Sequence, residues 1–359
     1  MTRVAAFTRY GARAASTRQR LLQYLPHLEA AGIRVDWHAL LDDEYVASLT
    51  TGDAYPRTRV AASYVRRLGQ VPEARAADLI WVYVELFPYL PAWVEWAVLG
   101  SSIPVLVDLD DAFFHQYDMH PRPMVRSLLG GKFKSLLRGA AACSCGNAYL
   151  RDYAARYCPN SIILPTVVDT EAYRPTPKGD QHPVVIGWIG SPTTWQNVRP
   201  LLPLLSELCS TGNVRLRVIG AGAAAEADRF PGLELIEWSE ATEIAEVQAM
   251  DIGIMPLLDR PFERGKSGYK LVQYMACGLP VVASPVGVNR EIVIDGENGL
   301  LAVSSDEWRA ALERLIADPA LRRRMGDMGR NRAELDYSLN SQAPRMIELL
   351  RDAVSLGGR

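Results

Sequence analysis

The chain has 359 residues, 48% of them hydrophobic and 22% charged, a balance that supports buried cores and excludes a disordered tail or a collagen-like fibre. Its 39 Lys and Arg against 41 Asp and Glu give a formal charge of -2, so it has no general excess of positive charge to grip a nucleic-acid backbone. Only Lys132, Lys134, Lys178, Lys266 and Lys270 are lysines; the other basic residues are arginines.

Short apolar runs alternate with longer amphipathic segments from the first residue onward. The first half offers strands at Arg3 to Thr8, Arg34 to Ala39, Leu79 to Val84, Val105 to Asp108, Ala141 to Ser144 and Ser161 to Leu164. Helical patterns at Thr17 to Ala31 and Val60 to Leu68 separate the first of them. A proline-rich stretch, 166–183, then breaks the rhythm and reads as a linker. The pattern restarts with strands at Val184 to Gly187, Val214 to Ile219, Leu233 to Glu237, Ile252 to Met255, Val281 to Ala283 and Gly299 to Val303. This predicts an α/β fold of two Rossmann-like, doubly wound parallel-sheet domains, 1–165 and 184–339, facing a central cleft. A last amphipathic stretch, Ala343 to Leu356, predicts a C-terminal helix within 340–359 that packs back on the first domain.

Cys143, Cys145, Cys158, Cys209 and Cys277 have no CxxC spacing and read as small buried hydrophobes in a reducing compartment. The apolar run Val4 to Phe7 is too short for a signal peptide, and no segment approaches the ~20 apolar residues that cross a bilayer. A cytoplasmic protein is expected. Basic and apolar residues around Lys132 and Lys134 leave open a peripheral contact with the inner face of a membrane, with a domain helix as the simpler reading.

The chemistry concentrates in Pro261 to Ala302. A loop runs into the helix Tyr269 to Ala276, which Gly278 and Pro280 terminate, and Lys266 and Lys270 flank Ser267, Gly268 and Tyr269 at the helix start. Free N–H groups and the positive end of the helix dipole favour an anion there, and lysines at that end are unfavourable without one. Two of the five lysines in one five-residue window therefore predict a phosphate site.

This segment resembles the family 4 glycosyltransferases of the GT-B fold, the glycosyl transferases group 1. The resemblance is carried by Tyr274-Met275-Ala276-Cys277-Gly278-Leu279-Pro280-Val281-Val282, by Gly287 with Glu291, and by Gly296 to Leu300. It implies transfer of a sugar, with retention of configuration, from a nucleotide-diphosphate donor, UDP or GDP, to a hydroxyl acceptor in glycan, glycolipid or natural-product synthesis. It implies no cofactor, and a divalent metal as dispensable. The chain departs from the family's pair of glutamates seven residues apart: the second falls on Gln273, which keeps an acceptor oxygen but no charge, and the first on Gly265, with Glu263 two residues earlier.

On the donor side the resemblance also places Gly190 and Ser191 after the first strand of the second half, Gly220 and Gly222 after its second, and Trp238 after its third, where the base would be read. Gly220 to Ala225 also fits a dinucleotide pattern, so an NAD-dependent enzyme is one alternative; a non-catalytic nucleotide-sugar or carbohydrate-binding protein is another. On the acceptor side Asp110, Asp111 and His115 follow the strand Val105 to Asp108 as candidate catalytic residues, with Gly11, Arg18 and Glu85 as candidates for holding the acceptor. Three carboxylates at Asp108, Asp110 and Asp111 also suit a metal, but a pocket wall that orients hydroxyls is the reading preferred. No oligomeric state follows from the sequence.

Overall fold

The computed structural model describes residues 1–51, 53–100, 103–177 and 183–357, so Lys178 and residues 178–182 of the expected linker lie outside the described residues. Two six-stranded sheets form the framework. The first contains β1 (Thr2–Tyr10), β2 (Ile33–Leu41), β3 (Leu79–Tyr83), β4 (Val105–Leu109), β5 (Ala142–Cys145) and β6 (Ser161–Ile163), in the order β2-β1-β3-β4-β5-β6. The second contains β7 (Val184–Ile189), β8 (Val214–Ile219), β9 (Leu233–Ile236), β10 (Ile252–Met255), β11 (Val281–Ala283) and β12 (Gly299–Leu301), in the order β12-β11-β10-β7-β8-β9. Every ladder is parallel. Each strand lies within two residues of its expected bounds, because a parallel strand covered on both faces must be written as a continuous apolar run. β3 and β4 are buried at every position.

The helices depart further from expectation. The segment expected as one helix from Thr17 to Ala31 is three pieces, Ala15–Arg20, a 3-10 turn Leu22–Tyr24, and Leu25–Ala30. Pro26 is the cause. Inside a helix it would lack an N–H and collide with the preceding turn, so the helix restarts with proline in its first turn. Val60 to Leu68 belongs to a longer helix, Arg57–Glu73, while Tyr269–Ala276 has the expected bounds. The C-terminal helix, Leu339–Gly357, lays Met346, Leu349, Leu350 and Ala353 on the first sheet, against Val4, Ala6 and Leu106.

The basic and apolar stretch is two helices, Pro123–Leu129 and Lys132–Gly139, and Phe133, Leu136 and Leu137 are buried in the first core. Lys132 is itself buried, its ammonium 2.6 Å from Glu85 and 2.7 Å from Glu95, so it cannot serve a membrane surface.

In each sheet, chain connections run in opposite directions from one pair of adjacent strands, opening a crevice at their carboxyl ends. That pair is β1 and β3 in the first sheet and β7 and β10 in the second. One buried ion pair holds the first platform. The Arg20 guanidinium binds both carboxylate oxygens of Asp108, with Nε 3.2 Å from Oδ2, and donates to the Leu164 carbonyl at 2.7 Å. Ser144 Oγ donates to the same carboxylate at 2.5 Å. Breaking such a pair strands a buried charge, at a cost of about 3–5 kcal/mol. Arg20→Ala should therefore lower the denaturant midpoint by that equivalent without changing the slope, and Arg20→Met combined with Asp108→Leu should recover much of the loss, both read by urea titration.

Candidate active site

The second crevice is built from loops rather than from strand interiors. Gly190 and Ser191 leave β7, Gly220 to Gly222 leave β8, Trp238 follows β9, and the segment after β10 passes through the short helix Pro261–Arg264 into Tyr269–Ala276. Gly220 has a φ of +79°, and a Cβ there would overlap the Gly190 carbonyl, so glycine is required for the two loops to touch. Gly268, at +71°, caps the helix Tyr269–Ala276 in the left-handed conformation and lies against Ile292 and Val288. Ser191 is exposed and forms a capping box with Thr194 at the start of the turn Pro192–Asn197.

The two lysines of the predicted anion site meet different surroundings. The Lys266 ammonium is 2.6 Å from Asp111 Oδ2, and the Ser267 N–H donates to Asp111 Oδ1 at 3.3 Å. A carboxylate of the first domain thus occupies two of the donors expected to hold an anion. Lys270 lies over the Trp188 ring, 5.6 Å from its centre, and among the described residues it has no hydrogen bond or ion pair. Burial first, and then the charge on Lys266, bring its pKa down from the usual lysine range to about 8. A half-buried ammonium with no counter-ion favours an incoming anion.

The domains close on one another around this loop. Asn147 Nδ2 donates to the carbonyls of Gly265 and Lys266 at 3.1 and 2.9 Å, and Phe113 meets Phe262 edge to face at 6.3 Å. Gly265 abuts Ala112 so closely that a Cβ would overlap it. The missing glutamate thus has a steric reason: this packing of the first domain leaves no room for a side chain there. Glu263 is buried in the short helix before it.

Gln273 is buried in a cluster that the sequence does not announce. Its amide donates to Glu243 Oε1 at 2.8 Å and to the Tyr173 hydroxyl at 3.1 Å, while Tyr173 and the Trp238 indole N–H also donate to Glu243. The charge missing at Gln273 is therefore present beside it, on a residue in the first turn of the helix Glu243–Gln248. An acidic residue five positions after the expected base-reading tryptophan was the available signal. Tyr269 packs against the same core, its hydroxyl pushed up by burial.

Several acceptor-side expectations need correction. Arg18 reaches across the cleft: its guanidinium sits 4.9 Å from the Trp238 ring, 3.7 Å from Glu243 and 3.8 Å from Glu240. Glu85 is fully buried, bound to Lys132, to the Tyr117 hydroxyl and to Arg9 at 2.7 Å, so it touches no acceptor directly. Arg9 instead faces the cleft side, 5.6 Å from the Phe113 ring. Gly11 is buried against Asp43, where a side chain would overlap the carboxylate. Asp110 is buried beside Asp111, and burial, reinforced by that neighbour, pushes its carboxyl up to about 7. His115 is separated from them by the chain turn: its Nδ1 is 2.9 Å from Asp118 and its Nε2 2.8 Å from the Tyr149 hydroxyl, in an aromatic pocket of the first domain. Asp108 is committed to Arg20. Among the described residues, no three acidic, histidine or cysteine side chains converge as a metal site would require.

This geometry defines a class before any comparison: two nucleotide-binding-type sheets whose loops enclose a cationic cleft. Residues 183–318 match the family model described as Glycosyl transferases group 1. The second domain is thus similar to those of the group 1 glycosyltransferases, and the two-sheet fold is GT-B. A D-inositol 3-phosphate glycosyltransferase of Corynebacterium aurimucosum is 27% identical over 228 residues, 55% of this chain and 52% of that one. The chain spans about half the length of the curated relatives it matches. Sucrose-phosphate synthase of Thermosynechococcus elongatus has a similar fold, with a TM-score of 0.77 at 18% identity over 99% of this chain and all of the other. HepE of Anabaena, solved with UDP-glucose, gives 0.71 at 15% identity over 98% of this chain and 100% of that one.

The vacant charge on Lys270 has a pH signature. Its folded pKa is about 8, and a bound anion would raise it. The gain is complete below that value and declines as pH rises through it. Pyrophosphate affinity, measured by calorimetry, should fall above about pH 8, and Lys270→Ala should flatten that part of the profile.

Proposed function

We propose that the protein is a family 4 type, nucleotide-sugar-dependent glycosyltransferase. It would move a sugar from a UDP- or GDP-linked donor to a hydroxyl acceptor, with retention of configuration and without a metal or other cofactor. The carrying observation is Lys270, a half-buried ammonium with no ion pair among the described residues, beside Lys266 at a helix start, over a floor that only glycine at Gly190 and Gly220 permits. The family match of the second domain supports the same reading.

The roles follow from charge. As the glycosidic bond to the diphosphate breaks, negative charge grows on the departing nucleotide, and Lys266, Lys270 and the Ser267 N–H are set to receive it. Asp111, displaced from Lys266 by the diphosphate, is then free to accept hydrogen bonds from sugar hydroxyls. Asp110, its carboxyl pushed up by burial and by Asp111, takes a proton more readily than an exposed aspartate and so can donate as well as accept. Glu243 supplies the carboxylate that would bind ribose hydroxyls beside Gln273, and Trp238 offers a face to the base. Closure of the cleft would keep water from competing with the acceptor.

The NAD reading loses support from topology. A dinucleotide loop should follow the strand at the switch point, β7, whereas Gly220 and Gly222 follow β8. Thermal shift should therefore show stabilisation by UDP or GDP and none by NAD; the reverse outcome would sink the proposal. Lys270→Ala should weaken nucleoside diphosphate binding by about 2 kcal/mol, roughly 30-fold. Asp111→Asn removes the competing carboxylate, so it should bind UDP or GDP more tightly while transferring sugar at least roughly tenfold more slowly, a split visible in Kd against kcat.

A further inference from the structure

A cavity of about 320 Å³ lies in the first domain, between the helices His115–Asp118, Lys132–Gly139 and Ala148–Ala154. That volume is at the lower end of the about 300–1,000 Å³ of small-molecule sites and suits one monosaccharide unit. Its chemistry differs from that of the donor cleft. One wall is aromatic: Tyr153 stacks on Phe114 with ring centres 3.7 Å apart, and Tyr157 meets Tyr153 edge to face at 5.6 Å. Two cations, Lys134 and Arg156, border it, and among the described residues neither has a carboxylate partner. The Asp118 carboxylate at the same pocket is engaged by His115. The Tyr153 hydroxyl is buried and has no hydrogen-bond partner among the described residues. A buried hydroxyl without a partner carries a desolvation cost that a ligand hydroxyl would remove.

We infer that this pocket binds an anionic monosaccharide unit, a sugar ring bearing a phosphate or carboxylate. The aromatic wall would take the apolar face of the ring, Lys134 and Arg156 the anionic group, and the Tyr153 hydroxyl a ring hydroxyl. A neutral glycan leaves the two cations unanswered; a bare anion leaves the aromatic wall unused. The inference rests on the glycosyltransferase reading for its meaning, since a sugar unit held by the first domain would belong to the acceptor; Tyr149, which lines the pocket, lies within electrostatic reach of Arg264 on the donor side. The binding itself is independent of turnover.

The test is a calorimetric titration of the whole chain, without nucleotide, using glucose 6-phosphate, glucuronate, glucose and inorganic phosphate as separate probes. Glucose 6-phosphate or glucuronate should bind at least tenfold more tightly than glucose or phosphate. The Lys134→Ala, Arg156→Ala double variant should weaken that binding at least tenfold, and Tyr153→Phe several-fold, with melting temperature unchanged. Both variants should bind UDP and GDP as the wild type does. Equal binding of inorganic phosphate, indifference to these substitutions, or displacement of the sugar by UDP would overturn the assignment. Failure of wild type to bind any nucleoside diphosphate would overturn the donor-site reading alone.

Discussion

The buried pair between Arg20 and Asp108 sets the geometry on which the cleft depends. A single guanidinium ties the helix after β1 to the end of β4 and, through the Leu164 carbonyl, to the chain leaving β6. Its charge cannot be given up, since arginine stays protonated and the carboxylate beside it holds the proton more firmly still. The end of β4 is thereby anchored on one side. The next two acidic residues along the chain are then presented outward from a fixed point, Asp110 into a buried position and Asp111 toward the other domain. The contact of Asp111 with Lys266 is the consequence, and with it the closeness of Ala112 to Gly265. Substituting Gly265 would disturb a domain interface as well as a loop.

The cleft carries an arrangement of charge suited to exchange rather than to rest. Lys266 and Lys270 stand together, yet among the described residues one carboxylate, that of Asp111, pairs with Lys266 and none with Lys270. Burial first, and then repulsion from Lys266, draws the Lys270 ammonium down. On the proposed reading, a diphosphate arriving there would answer both cations and release Asp111 toward the sugar. On the opposite rim Arg18 lies over Trp238 and near Glu243, so the first domain also touches the region where the base and ribose would lie. The two domains therefore meet at two points with opposite polarity. At Lys266 the first domain contributes an anion; at Trp238 it contributes a cation.

The parts legible in the sequence were those fixed by local periodicity or by a local cost. Parallel strands announce themselves because both faces are buried, and the helix Tyr269–Ala276 because glycine and proline stop it. The first long helix was misread because hydrophobic spacing continued across Pro26 while the backbone could not. What the sequence hid were pairings between distant segments. Glu85 read as an acceptor-holding carboxylate after a strand; it is balanced by Lys132, 47 residues on, and by Arg9, 76 residues before. Glu243 was passed over because its meaning depends on Tyr173 and Gln273, 70 and 30 residues away. The contacts of Arg18 with Trp238, Glu240 and Glu243 across the cleft are pairings of the same distant kind.

His115 shows how the fold divides residues that the sequence places together. It stands four positions after Asp111, and on an extended loop the two could share one substrate. The chain instead turns at Ala112 and Phe113 and enters the short helix His115–Asp118. Phe113 is directed to Phe262 across the cleft, while Phe114 stacks into the first domain's aromatic pocket. Adjacent aromatic side chains thus face different neighbours, and the polar residues on either side follow them: Asp111 to Lys266, His115 to Asp118 and Tyr149. The turn partitions one acidic and aromatic motif between a cationic cleft and a smaller basic pocket.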